Sequence, residues 1–168
     1  EHDLLHAFAA LGPQLLVYLM SFMTLGIFWV GQQTELNHLE RSDRNLTWIN
    51  LGFLFFVTIV PFSTRLLAEF TTFRSALVAY WFNIFLLGGV LYCAWGYATR
   101  AKLLMSETTY ETTAAVCHRI IYSQVLYALG ALLCFFNTYW SIGFIVFVQL
   151  NYAIAPLQWL RKRLVPTP

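Results

Sequence analysis

Apolar and polar residues follow one another along this chain in long blocks. Apolar runs occupy about 13–30, 46–64, 76–97, 118–136 and 141–160, with no Lys, Asp or Glu in the interior of any of them. An α-helix needs about 20 mostly apolar residues to cross a hydrocarbon layer. The runs also lack the strict polar/apolar alternation of a barrel strand. The pattern predicts an all-α fold: a polytopic helical membrane bundle with five transmembrane helices in a single transmembrane domain over 1–168. The polar stretch 31–45 reads as a loop with helix ends and 69–75 as a short turn. The linker 99–117 reads as an amphipathic surface helix, and 137–140 as a tight turn that makes the last two spans an antiparallel hairpin.

Composition strengthens this picture. Of the 168 residues, 59% are apolar and 11% charged, with mean hydropathy +0.62. A soluble domain carries about 25% charged residues. A net charge of +2, with no basic stripe among the aromatics, gives no footing for nucleic acid. Cys93, Cys117 and Cys134 lack the spacing of a zinc site or disulfide framework and read as small buried hydrophobes. Arg41, Arg44, Arg100, Lys102, Arg119 and the Arg161-Lys162-Arg163 triplet fall on one side of a five-span topology, against Arg65 and Arg74 on the other. Positive charge marks the cytoplasmic side, so the C-terminus is expected inside and Glu1 outside. An outside start predicts a further helix upstream of residue 1; an N-out five-span protein is the alternative.

The chemistry on offer is sparse. No metalloprotease, nucleophile-elbow or phosphate-loop motif occurs, and no span holds paired carboxylates. His2, His6, His38 and His118 form no i, i+4 pair that would hold a haem or metal. Neither an enzyme, a cofactor nor a metal site is expected. The Asn45-Leu46-Thr47 sequon lies on the predicted cytoplasmic side. Within the spans the polar residues are Ser21, Thr24, Asn50, Thr58, Asn83, Ser123, Gln124, Gln149 and Asn151. Such groups find partners on neighbouring helices, and Asn50 and Asn83 stand out among bulky apolar neighbours. Gly88, Gly89 and Cys93 read as points of close helix approach, and Pro61 and Pro156 as breaks near helix ends. Trp48, Trp95, Trp140 and Trp159 read as interfacial anchors, while Trp29 is expected to point into the bundle.

Several segments carry a more specific signal. Tyr18-Leu-Met-Ser21-Phe22 with Gly26-Ile-Phe28-Trp29-Val30, then Leu46-Thr-Trp48-Ile-Asn50-Leu51 and Val60-Pro61-Phe62-Ser-Thr64, resemble the second and third helices of the transmembrane protein 175 family of potassium channels. Ala76 to Tyr80 and Asn83 resemble the start of its fourth. The likeness is close over roughly 13–85 and rests on hydropathy elsewhere. It implies a six-span unit assembled as a homotetramer in the plasma membrane, passing K+ through a central pore in a leak-like way. The pore would be lined by a first helix bearing an Arg-x-x-x-Phe-Ser-Asp motif, which this sequence does not contain. The chain thus resembles helices two to six, and the ion pathway is not assigned to its residues. Ser21, Trp29, Asn50 and Asn83 are expected to support the pore helix. Gln32-Gln33 stand where many relatives have a histidine pair. The alternatives are a small secondary transporter, for which no internal repeat is visible, a structural scaffold subunit, or a membrane enzyme.

Overall fold

The computed structural model describes the backbone of residues 2–70 and 73–164, and the side chains of 18–19, 21–70, 73–138 and 140–152. His2, His6, Pro156, Trp159 and the 161–163 basic triplet lie outside the described side chains. Five helices follow one another: α1 His2–Leu36, α2 Arg44–Glu69, α3 Arg74–Arg100, α4 Tyr110–Leu132 and α5 Thr138–Leu164, with one 3₁₀ turn, Leu133–Phe135, between the last two. Among the described residues, Arg44–Glu69, Arg74–Arg100 and Tyr110–Phe135 are long and apolar enough to cross a membrane, and Trp140–Tyr152 is a shorter apolar stretch.

The helices overrun the apolar blocks because local capping sets their ends. Asp43 accepts a 2.8 Å hydrogen bond from Leu46 N–H and starts α2. Thr109 accepts one from Thr112 N–H at 3.3 Å and starts α4 at Tyr110. Each bond satisfies an amide that has no partner inside its helix. The expected surface helix over 99–117 is therefore replaced by a loop at 101–109 and the first turns of α4. That loop opens with Lys102 in the left-handed region, φ 55°. Leu103 N–H returns to Ala98 C=O at 3.0 Å and Lys102 N–H to Thr99 C=O at 3.3 Å, closing the C-terminus of α3. Pro61 does not end α2, which continues to Glu69 with the proline exposed on its surface; its ring removes one donor, which a membrane helix tolerates where local adjustment satisfies the freed carbonyl.

α3 is the central post. Leu77, Tyr80, Ile84, Leu87, Leu91 and Trp95 form a buried stripe at helical spacing, against which α2, α4, α1 and α5 all pack. The α1–α2 and α3–α4 loops meet at one end of the bundle. There Glu40 N–H donates to Leu103 C=O and Met105 N–H to His38 C=O, both at 2.9 Å. The two loops that the charge count assigns to one side are thus in contact. α4 and α5 pack as a hairpin in which Gly130 admits Ile145: a Cβ there would lie 2.8 Å from the isoleucine Cγ1. Gly88 likewise admits Gln124, but a Cβ at Gly89 meets nothing within 4 Å. Cys93 is exposed. Of the three residues read as sites of close approach, Gly88 alone serves as one, because Gly89 and Cys93 fall on the outward side of α3. Cys134 is buried and Cys117 partly so.

Candidate functional site

α1 inverts the usual surface helix. Among its described side chains Ser21, Thr24, Phe28, Gln32 and Glu35 are buried, none more than 6% exposed, while Tyr18, Leu19, Phe22, Trp29 and Val30 are all more than half exposed. Steps of three and four place one set on one face. A helix with an apolar outside and a polar inside suits lipid, where polar groups are satisfied only by neighbouring helices. α2 likewise turns Trp48, Phe55 and Phe62 outward.

The inward polar stripe of α1 makes contacts at two levels. At mid-bundle, Gln149 of α5 donates through Nε2 at 2.8 Å to Thr24 Oγ1 and at 2.8 Å to Tyr80 Oη. The two hydroxyls are themselves 3.0 Å apart. All three residues are fully enclosed. One amide thereby ties α1, α3 and α5 together. Towards the paired loops, Gln32 Nε2 donates to Asn50 Oδ1 at 3.4 Å. Gln32 Oε1 and Glu35 Oε1 are buried beside it without a partner. Both residues line a small cavity of about 10 Å³ with Leu46, Asn50 and Trp95, close to the room one water needs. Glu35 lies beyond the apolar run of its helix. Burial pushes its carboxyl up to about 8, against the lowering pull of the Arg119 guanidinium. In the loop itself, the Asp43 carboxylate is held below its ordinary value by hydrogen bonds from the Tyr97 hydroxyl and Leu46 N–H.

A second polar contact links α2 to α3. Asn83 Nδ2 donates to Ser63 Oγ at 3.1 Å, and Ser63 donates to Val60 C=O at 3.0 Å. Asn83 Oδ1 is buried and unpartnered.

The four residues expected to support a pore helix are therefore dispersed. Ser21 and Asn83 are buried, Asn50 is half-buried against Gln32, and Trp29 is 54% exposed. Trp29 does not point into the five-helix body as expected, because the inward positions of α1 fall on the polar stripe. Gln149 is buried but Asn151 exposed, and Thr58 bonds back to its own helix at Phe55 C=O. Glu35 and Tyr127 were not singled out in the sequence, and Gln32 was noted only with Gln33 for its place in the family pattern; the spacing Ser21-Thr24-Phe28-Gln32-Glu35 was the available signal for Gln32 and Glu35. No cluster of three or more His, Cys, Asp or Glu able to hold a metal ion occurs among the described residues.

Comparison with known proteins gives a consistent set of matches. The sequence model of a family described as the endosomal/lysosomal potassium channel TMEM175 matches residues 1–61. A potassium channel of Streptomyces collinus is 29% identical over 156 residues, covering 90% of this chain and 68% of that protein. A potassium channel of Chamaesiphon minutus is 27% identical over 155 residues, covering 90% of this chain and 76% of that one. The fold resembles the crystal structure of a lysosomal potassium-selective channel TMEM175 homolog from Chamaesiphon minutus. The TM-score is 0.71 at 23% identity, over 92% of this chain and 83% of that one.

Proposed function

We infer that this chain is a TMEM175-family protein and a subunit of a potassium channel that passes K+ passively down its gradient. The observation that carries this reading is sequence likeness to two potassium channels over nine-tenths of the chain. A multi-pass helical bundle is the setting such a channel requires. Passive conduction needs no covalent step and no cofactor; a constriction discriminates ions by how readily they shed water.

The finer reading is also ours. The subunit sits in the plasma membrane with its C-terminus cytoplasmic, an orientation supported by Arg41, Arg44, Arg100 and Lys102 gathered at the paired-loop end. Four copies surround a pore lined by a helix outside this sequence. Trp29 and Asn50 contact that helix, Trp29 through its exposed ring and Asn50 through its half-buried amide. Ser21 and Asn83 act from inside, by fixing α1 against the bundle and α2 against α3.

Liposomes loaded with K+ and reconstituted with the protein test the proposal. The expected result is K+ efflux that rises without saturation as the gradient grows and that exceeds Na+ efflux. Flux that saturates, or that requires a second coupled solute, would place the protein with transporters instead.

A further inference from the structure

Among the described residues α1 and α4 do not pack closely, and the gap between them is a cavity of about 470 Å³ floored by Gly88 and Leu91 of α3. Its α1 wall runs from Phe22 to Glu35, about 20 Å at 1.5 Å per residue. Phe22, Ile27, Leu91 and Ile120 make it largely apolar. Its polar groups are few. Glu35, Gln124 and Tyr127 line it, and Glu35 Oε1, Gln124 Oε1 and the Tyr127 hydroxyl are buried without a partner. The Arg119 side chain, which is exposed, lines the Glu35 end and acts on that carboxyl through its charge.

A long apolar slot in a membrane, with one basic and one acidic side chain at one end, suits an alkyl chain that carries a dipolar head group. We propose that this slot binds one acyl chain of a zwitterionic phospholipid with a primary ammonium, phosphatidylethanolamine being the type. Its phosphate lies on Arg119 and its ammonium on Glu35. A guanidinium is the side chain suited to phosphate oxygens. One cation and one carboxyl at the same end, the carboxyl giving up its proton when an ammonium lies against it, complement a head group that carries one charge of each sign. Tyr127 leans back toward that end, as helical side chains do, and its O–H donates to the ester carbonyl of the chain. The apolar remainder runs past Ile27 to Phe22. This inference stands apart from conduction, since lipid retention is read without any flux.

The test is native mass spectrometry of the full-length protein, extracted in mild detergent and offered dioleoyl phosphatidylethanolamine, phosphatidylglycerol or phosphatidylcholine separately. Phosphatidylethanolamine should be retained roughly tenfold more than either other lipid, the worth of one charge-assisted hydrogen bond. Glu35→Gln should erase that preference, and Arg119→Gln should lower retention of all three lipids. Gly26 lines the slot, and a Cβ there meets nothing within 4 Å, so Gly26→Leu should plug it and abolish retention while thermal melting stays unchanged. Equal retention of the three lipids, no bound lipid, or undiminished retention by Gly26→Leu would overturn the proposal.

Discussion

Gly88 and Gly89 are neighbours on α3 with opposite surroundings. A methyl at Gly88 would lie 1.7 Å from Gln124 Nε2, whereas one at Gly89 meets open space. Gln124 must then swing away and lose its 3.4 Å bond to Ile84 C=O. Gly88→Ala is expected to destabilise the protein by about 1–3 kcal/mol and Gly89→Ala to change it by less than about 0.5 kcal/mol, as read from denaturant unfolding in detergent. Glu35 gives a pH signature at the same scale. Its folded value is raised from 4.5 to about 8, so the fold favours the neutral acid. Stability is then full below about pH 4.5 and is lost as pH rises through about 8. Arg119, and the Cys117 thiol, are the titratable or charged groups coupled to it. The melting temperature in detergent should fall between pH 5 and 8.5, and Glu35→Gln should flatten that slope; an unchanged slope would contradict the burial argument.

At the scale of elements, the bundle is held by a few polar ties between helices that are otherwise apolar outward. The Gln149 amide serves both Thr24 and Tyr80. Gln149→Leu should therefore cost about 1–2 kcal/mol. In a double-mutant cycle with Tyr80→Phe the two losses should be less than additive, because the second change removes a bond already gone. The sequence revealed the helices but not their rotation. Hydropathy reports that a segment enters lipid, and five apolar blocks were enough for that. It does not report which side of a helix meets another helix, since lipid and a helix neighbour are both apolar. Asn83 and Gln149 were legible because an amide in such a block needs a partner. Trp29 was misread because its ring is apolar enough for either side. Glu35 was passed over because it sits in a charged-looking stretch, and only the packing of α2 and α3 against α1 there makes it a buried group. Helix ends were misplaced where Asp43 and Thr109 extend a helix into polar sequence.

At the scale of the whole molecule, the proposed assembly would cover part of the exposed aromatic faces of α1 and α2. Replacing Trp29 by alanine removes a side chain that touches little in the isolated bundle. It should leave thermal melting of the monomer within about 0.5 kcal/mol of the parent while lowering the fraction of assembled protein in size-exclusion chromatography. Unchanged assembly would remove Trp29 from the proposed contact with the pore helix. The central claim, that the assembled protein is a potassium channel, is met most directly by the reversal potential of the purified full-length protein in a planar bilayer, with K+ on one side and Na+ on the other. A reversal potential displaced in the direction that marks greater K+ permeability, with current linear in driving force near it, is the predicted result. A reversal potential at zero, or no current at protein densities confirmed in the same membrane, would contradict it.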